Sequence, residues 1–547
     1  MAVKWEMVGL AWAALLAFAS FSAADNSVPV VHDTASGDLS GKFLTLTPNR
    51  TIEAYLGIPY AQPPIGSRRF KDPEPFGKWL GTFNGTKEPT KCLQVNGFLP
   101  GKPVEGSEDC LYLNVYTPSR NGVGCPVMVF IHGGGFVDGD GTSGFYGPDK
   151  LLLTKDIILV TIHYRLGFLG FASLDDGDFA GNYGLKDQSL ALKWVKENIA
   201  KFGGDGDKVT VVGESAGAAS AHFHILSPQS QGLFQRAILL SGTADCPWAV
   251  STAHQNGNLT AKMASLVNCS ADTSATELLE CLRKVEGSEF LIHNEKFQTV
   301  WKGYSVPIVI FRPTIESHSG NAFITQESYK SQSKKPMMIG ATSDEGALVL
   351  AILKRDKTRS LESALSEFDK RFTEIMPVEG DFLDDPDHKE RAEKIKTEYF
   401  GNSTISNETL PQLTKLYSDT YFLNGIKSTL SRHEGEKYVY KFGYEGSYSI
   451  SQLLSGDPTY RNGVCHADDL FYLFPMKPFL GLRVGSETEK DKEISAKFVD
   501  LITNFVIEGN PNSKSEPSIW TPSSKDVDFL SISTEGNFEM KKNFPGA

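Results

Sequence analysis

The sequence predicts an α/β protein built on a doubly wound, mostly parallel sheet with helical insertions. Short apolar segments rich in β-branched residues recur along the chain, and helical segments separate them. The apolar segments are nearly unbroken rather than alternating, which is typical of strands covered on both faces in a parallel sheet. These two observations together favour alternating strands and helices over an all-helical or all-strand fold.

Six segments carry the strand pattern. They are PVMVFIH (126–132), DIILVTIHY (156–164), KVTVVGE (208–214), QRAILLSG (235–242), PMMIGATS (336–343) and KYVYKF (437–442), the last predicted strand.

One helix stands out between these strands. The segment 185–204 places Leu185, Leu192, Val195 and Ile199 near one face and stops at a glycine pair. The charged stretch 355–435 has a mostly helical pattern and no strong strand signal. Because no flexible linker flanks it, we expect it to be an insertion on the sheet rather than a separate domain.

Charge and leader composition restrict the partners and the compartment. The 547 residues include 54 Lys and Arg against 66 Asp and Glu, a formal net charge of -12. This balance argues against nucleic acid and anionic membranes as partners. Residues 1–24 have one lysine, a short apolar run and then small residues, the layout of a secretory signal cleaved after Ala24. We therefore expect a secreted mature chain, 25–547, with no membrane anchor once the signal is removed.

The cysteines and glycosylation sequons fit an oxidising compartment. The seven cysteines are an odd number, and local loop closure favours the disulfides Cys92–Cys110 and Cys269–Cys281. Cys125, Cys246 and Cys465 then remain free. Six N-x-[ST] acceptors occur, at Asn49, Asn84, Asn258, Asn268, Asn402 and Asn407.

The strongest local signal for catalysis is Gly213-Glu214-Ser215-Ala216-Gly217, which joins a buried strand to an alanine-rich helix start. Two glycines allow a strained strand-to-helix turn that lifts the serine hydroxyl clear of the sheet. At the helix N-terminus, backbone N–H groups favour developing negative charge. Ser215 is therefore the predicted nucleophile, the alternative being an ordinary tight turn.

A glycine run supplies a candidate oxyanion hole for this serine. Three glycines follow a strand in VFIHGGGFVDGD (129–140). The predicted donors are the backbone N–H groups of Gly134, Gly135 and Ala216. A phosphate cradle is disfavoured because no Lys-Ser or Lys-Thr pair follows the glycines.

The acid and the base are expected after the serine, in the order Ser, acid, His. Asp344 and Glu345 both follow a predicted strand, and the local sequence does not choose between them. His466 follows a glycine-containing loop after KYVYKF, which is where the base should lie. His132 and His163 are set aside because they precede the serine in the chain. His433 precedes KYVYKF and so lies at the wrong end of the sheet, and His388 lies in the charged helical region. His222 and His224 lie on the helix after the nucleophile, where packing explains them better.

The segment GVCHADDL (463–470) also permits other interpretations. A thiol beside an imidazole suggests a Cys465 nucleophile, and a Cys, His and Asp cluster suggests a metal site. Nothing nearby completes a ligand set, and adjacent loop residues rarely face each other. We interpret Cys465 as a packing thiol, and Asp468 and Asp469 as carboxylates of the loop or of a helix start.

Four motifs in order carry a family resemblance: EDCLYLNVYTP (108–118), YRLGFLGF (164–171), FGGDGDKVTVVGESAG (202–217) and GVCHADDL. Together they resemble the type-B carboxylesterases, which include the cholinesterases, over nearly the whole mature chain. The resemblance implies one α/β-hydrolase domain and the triad Ser215, Glu345 and His466, choosing Glu345 over Asp344. It implies the same two disulfides, a small carboxylic ester as substrate, and no metal or organic cofactor.

The resemblance also restricts the class of ester that we expect as the substrate. LSGTADCPWAV (240–250) resembles the acyl-pocket segment, which places Trp248 on the acyl side. The loop between the first two cysteines holds only Phe98 where cholinesterases carry tryptophan, and Glu214 replaces the glutamine usual in juvenile hormone esterases. A general esterase similar to secreted insect detoxification or odorant-degrading enzymes is favoured, with juvenile hormone esterase as one alternative. A non-catalytic binding or adhesion protein is another, although the catalytic positions are all kept.

Overall fold

A computed structural model describes residues 28–95, 103–118, 124–174, 176, 178–297, 309–316, 320–356, 359–477, 486–514, 518–524 and 527–545. The predicted signal segment 1–24 and Phe98 lie outside the described residues. Among the helices that are described, none is long and apolar enough to cross a membrane.

The strands form one large sheet and one small sheet. They are β1 (Val30–Thr34), β2 (Gly37–Ser40), β3 (Lys42–Thr47), β4 (Arg50–Pro59), β5 (Thr82–Asn84), β6 (Tyr112–Thr117), β7 (Cys125–Ile131), β8 (Ile158–Ile162), β9 (Gly204–Glu214), β10 (Arg236–Leu240), β11 (Met337–Thr342), β12 (Lys437–Phe442), β13 (Phe529–Ile532) and β14 (Phe538–Lys541). The large sheet has 11 strands in the order β14-β13-β12-β11-β10-β9-β7-β8-β6-β4-β3, and the small one is β1-β2-β5.

The parallel core of the large sheet was predictable and its edges were not. The six predicted strands are β7 to β12, and they pair in parallel with one another, with β13 added in parallel beside β12. Antiparallel pairs extend the sheet through β8, β6, β4 and β3, and through β13 and β14. The expectation that β12 is the last strand was wrong. The two strands after it are four residues long and lie at the edge, where the hydrophobic signal is weak.

Both faces of the central strands are covered. Along β7, Val129 and Ile131 pack into one hydrophobic cluster, while Met128 and Phe130 pack into a second cluster on the other face. Successive strand residues point to opposite faces, so every position of such a strand meets a core. This explains the nearly unbroken apolar segments in the sequence.

Helices cover the two faces. They are α1 (Ser143–Tyr146), α2 (Gly167–Phe171), α3 (Tyr183–Asn198), α4 (Ala216–Leu226), α5 (Ala253–Leu266), α6 (Ala275–Leu282), α7 (Glu289–Ile292), α8 (Gln326–Tyr329), α9 (Ala347–Arg355), α10 (Leu361–Lys370), α11 (Phe372–Glu379), α12 (His388–Phe400), α13 (Leu410–Ser418), α14 (Asn424–Arg432), α15 (Ile450–Ser455) and α16 (Glu489–Glu508). The predicted helix is α3, in which Leu185, Leu192 and Val195 are buried, and Ile199, the fourth predicted face residue, is buried in the 3₁₀ turn that follows it. The charged stretch 355–435 is helical as predicted, from α10 to α14, with a π-helical turn at Asp419–Leu423.

The predicted disulfides are both present, Cys92–Cys110 and Cys269–Cys281, and Cys125, Cys246 and Cys465 are free and buried. The six predicted glycosylation asparagines are all exposed, as attachment of a glycan requires.

A buried ion pair ties the segment after β8 to α3. Asp187 accepts hydrogen bonds from the Arg165 guanidinium at 2.8 and 2.6 Å and from the Arg165 backbone N–H at 3.0 Å. Both side chains are almost fully buried. Because both carboxylate oxygens of Asp187 accept hydrogen bonds from Arg165, the pair fixes the register of α3 against the sheet.

We expect Asp187→Asn to destabilise the protein by roughly 3–5 kcal/mol, because it leaves the Arg165 cation buried and uncompensated. Equilibrium urea unfolding followed by tryptophan fluorescence measures this. The matched control is Glu197→Gln on the same helix, whose partner Lys193 is 4.0 Å away and more than half exposed. That change should cost less than about 1 kcal/mol. Equal losses in the two variants would contradict the prediction.

Candidate active site

Ser215 occupies a strained turn between β9 and α4. Its φ of 56° and ψ of -121° lie outside the regions that side-chain-bearing residues normally adopt. Its backbone N–H donates to the Leu240 carbonyl at 2.9 Å, and its carbonyl accepts from Ala219 in the next helical turn at 2.9 Å. The side chain is half-buried and lines a cavity.

Gly213 and Gly217 flank the turn. Both are required because their neighbours pack too closely to admit a side chain, and not because the chain must be flexible there. A Cβ at Gly213 would overlap the carbonyl of Gly217, and a Cβ at Gly217 would overlap the carbonyl oxygen of Ile131 at the end of β7. The strand, the turn and the start of α4 therefore approach their neighbours at backbone distance. This holds the strained serine in one conformation.

Glu345, and not Asp344, reaches the imidazole of His466. Glu345 Oε2 lies 2.6 Å from His466 Nδ1, and Oε1 accepts hydrogen bonds from Ser241 Oγ at 2.5 Å and from the Thr342 backbone at 2.7 Å. Asp344 accepts instead from the Val464 backbone at 3.0 Å, so it braces the loop that carries the histidine. Local sequence left the two acids open, and tertiary contacts separate them.

The His466 ring is held from three sides. Phe422 stacks on it with ring centroids 4.4 Å apart, Glu345 lies at Nδ1, and Glu214 Oε1 lies 3.1 Å from Nε2. The last two atoms are not aligned for a hydrogen bond. Ser215 Oγ and His466 Nε2 both line the cavity, and no hydrogen bond joins them among the described residues.

The two carboxylates control the protonation of this histidine. Burial disfavours the imidazolium, but Glu214 and then Glu345 outweigh it and raise the pKa of His466 to about 9. Burial also raises the pKa of Glu214 to about 8, although the nearby imidazolium opposes this. The arrangement therefore holds a proton on the His466 and Glu214 pair around neutral pH.

Two of the candidate oxyanion donors, Gly134 and Gly135, line the same cavity as Ser215, and the third, Ala216, follows the serine in the chain. Gly134 and Gly135 have φ of 99° and 60°, and a Cβ at Gly134 would overlap the carbonyl oxygen of Asp138. No hydrogen bond within the described chain uses the N–H groups of Gly134, Gly135 or Ala216. These three N–H groups are therefore available to stabilise a negatively charged oxygen that forms on a substrate attacked by Ser215.

The cavity above the serine has a volume of about 360 Å³ and is lined mainly by apolar and aromatic side chains. Trp248 lines it, packs against Phe136 and Phe422, and donates from Nε1 to the Tyr421 carbonyl at 2.8 Å. No cluster of three metal-ligating side chains occurs within the described ranges.

The remaining histidines have other surroundings. His132 stacks on Tyr164, and burial lowers the pKa of His132 to about 4. His163 Nδ1 lies 3.2 Å from the Thr90 carbonyl oxygen. His433 precedes β12, at the end of the strand opposite to the Glu345 and His466 contact.

His222, His224 and His388 also have local partners. His222 accepts from the Ala244 backbone at 3.1 Å, and His224 bonds Ser230 and Gln188 in a buried network. His388 begins α12 beside the Asp385 carbonyl.

The carboxylates and thiol next to His466 are also engaged locally. Asp468 accepts from the backbone of Ile450 at 2.6 Å and of Cys465 at 2.9 Å, and Asp469 accepts from Tyr440 at 2.9 Å. Cys465 is fully buried, and burial raises the pKa of its thiol well above the usual range. A thiol in that state is a poor nucleophile.

Sequence reasoning did not identify Phe422 or the role of Glu214. Phe422 comes from the helical insertion, in the π-helical turn Asp419–Leu423. The aromatic sequence DTYFL within a charged helical region was the available signal, since π-helical turns are frequent at functional sites. The sequence marks Glu214 as part of the turn motif and as a departure from juvenile hormone esterases, and the structure places it against the imidazole.

The model of the carboxylesterase family matches residues 27–545. The juvenile hormone esterase of Tribolium castaneum is 38% identical over 508 residues, which cover 89% of this chain and 84% of that protein. Esterase E4 of Myzus persicae is 37% identical, covering 96% and 94%, and venom carboxylesterase-6 of Apis mellifera is 34% identical with the same coverage. The large mostly parallel sheet with its helices is that of the α/β-hydrolase fold, as the resemblance implied. The chain therefore belongs to the carboxylesterase family and is a carboxylic ester hydrolase.

Proposed function

We propose that this protein hydrolyses small carboxylic esters through an acyl-enzyme on Ser215, with His466 as the general base and Glu345 as the residue that orients it. The observation that carries the proposal is the 2.6 Å contact between Glu345 and His466 Nδ1, which leaves Nε2, with Glu214 Oε1 3.1 Å away, as the nitrogen that can exchange a proton with Ser215 in the shared cavity. A serine, an oriented imidazole and three free N–H donors around one cavity are the parts that acyl transfer needs.

Acylation uses these parts in turn. His466 Nε2 takes the proton from Ser215 Oγ as the oxygen attacks the ester carbonyl, and the carbonyl oxygen becomes an oxyanion held by Gly134, Gly135 and Ala216. The carbon–oxygen bond to the alcohol then breaks, and the imidazolium gives its proton to the leaving alkoxide. Water repeats the cycle on the acyl-enzyme and releases the acid.

The proposal extends to the substrate and the compartment. A cavity lined mainly by apolar and aromatic side chains suits uncharged esters, and we place the acyl group against Trp248. We propose removal of residues 1–24, secretion of one domain over 25–547, and glycan attachment at the exposed sequons. The role would be degradation of xenobiotic, odorant or hormone esters.

Juvenile hormone esterase is the second candidate, favoured by the 38% identity to the enzyme of that name from Tribolium castaneum. Measurement of kcat/KM on juvenile hormone and on short p-nitrophenyl esters separates the two candidate functions. A preference for the hormone of more than about 100-fold in kcat/KM, or about 2.7 kcal/mol, would select the second candidate.

Ser215→Ala should abolish hydrolysis of p-nitrophenyl acetate, because no acyl-enzyme can form. We expect a loss of at least about 10³-fold in kcat, as in other triads. A fluorophosphonate should label the wild-type protein at the Ser215 peptide and leave the variant unlabelled. Equal turnover by the two proteins would contradict the mechanism.

Glu345→Gln should lower kcat by roughly 10³- to 10⁴-fold, because an amide can no longer hold His466 in the tautomer with a free Nε2. Asp344→Asn is the matched control, since Asp344 contacts the loop backbone and not the ring. We expect its kcat to stay within about tenfold of wild type. The reverse order of the two variants would reassign the acid.

Glu214→Gln should move the acid limb of the kcat/KM against pH profile to lower pH. The Glu214 carboxylate stabilises the imidazolium and raises the pKa of His466, so its removal lets the base lose its proton at lower pH. Glu105→Gln, at a carboxylate that lines the same cavity and pairs with Lys91, is the control that should leave the limb in place. A shift to higher pH in Glu214→Gln would contradict the assignment.

A further inference from the structure

One of the buried carboxyl groups that line the cavity takes no part in the proposed chemistry. Glu379 is the last residue of α11, only 5% of its surface is exposed, and it lines the cavity that Val378, Val309 and Arg312 also line. Both of its carboxyl oxygens are buried, and neither has a hydrogen-bond partner within the described chain.

The fold gains nothing from this carboxyl group. A buried polar group without a partner costs about 1–3 kcal/mol, and the C-terminal end of a helix disfavours an anion. The Arg312 cation, which lines the same cavity, is already committed, because it bonds Asp381 at 2.6 Å and the Pro247 carbonyl at 2.9 Å. Burial raises the pKa of Glu379 well above its usual range and so favours the protonated form, which can donate a hydrogen bond.

The position of Glu379 assigns it to one side of the cavity. Arg312 bridges the segment after α11, through Asp381, to Pro247, which directly precedes Trp248. Glu379 and Trp248 therefore belong to the same wall. Under the proposed function this wall faces the acyl group of the ester.

We propose that Glu379 is a specificity-determining residue whose carboxyl group donates a hydrogen bond to an acceptor oxygen in the acyl chain of the substrate. The inference rests on the proposed function and names its substrate class, esters of carboxylic acids that carry an ether or carbonyl oxygen along the chain. A site built to hydrogen-bond such an oxygen discriminates against the chain that lacks it, since its own polar group is then left unpaired.

The test uses p-nitrophenyl octanoate and four analogues in which oxygen replaces the methylene at position 4, 5, 6 or 7. The leaving group and the chain length stay constant, so the ratio of kcat/KM for an oxa-ester to that for octanoate reports only the added oxygen. We expect one position at which wild type keeps a ratio near or above one and Glu379→Leu lowers it at least about tenfold. Glu379→Gln, which keeps a donor, should hold the ratio within about threefold of wild type.

A control variant and a reserve variant make the outcome specific. Val309→Ala changes an apolar residue of the same cavity and should leave the ratios unchanged. If Glu379→Leu is not recovered folded, Glu379→Met serves as the apolar variant. A ratio that is the same in wild type and the apolar variants at every position would overturn the inference. So would a preference of wild type for p-nitrophenyl 8-aminooctanoate, which would mean that the carboxyl group binds cations. Absence of hydrolysis of every ester would instead overturn the proposed function.

Discussion

The close approach of β9 and α4 to the end of β7 is the constraint on which the rest of the site depends. Neither Gly213 nor Gly217 has room for a Cβ, so the chain turns at backbone distance and forces Ser215 to a φ of 56°. Strain of this kind persists only where the surrounding packing over-determines it. Ser215 is thereby fixed at the carboxyl edge of the sheet, where the chain segments that follow the other parallel strands also arrive.

Parallel pairing brings distant segments to this edge. Glu345 follows β11 and His466 follows β12, so residues 121 positions apart in the chain come within hydrogen-bond distance. The helical insertion adds Phe422 against the ring. Glu214 and Glu345 lie on opposite nitrogens of the imidazole, and their negative charge sets its protonation. The sheet therefore positions the side chains of the site, and the two carboxylates set the proton affinity of the His466 imidazole.

Buried charge is treated differently in the scaffold and in the cavity. Arg165 and Asp187 satisfy each other with several hydrogen bonds, and such a pair contributes to a defined register. Glu379 has no such partner within the described residues and gains nothing from its position by folding alone. A polar group that the scaffold leaves unsatisfied at a cavity wall is available to a ligand, which is the physical basis for assigning it to recognition.

The sequence by itself determined the parallel core, because unbroken apolar segments such as β7 must be covered on both faces, and it determined the serine turn, because only glycine fits beside it. Family resemblance pointed to Glu345. Only the tertiary structure separated Glu345 from Asp344 by contact, since neighbouring residues differ in direction and not in local pattern. The tertiary structure also decided which strands form the edges of the sheet, that Phe422 stacks on His466, and that the Glu379 carboxyl group has no hydrogen-bond partner within the described residues. Each of these depends on contacts between segments far apart in the chain, which local hydrophobic period and turn chemistry do not encode.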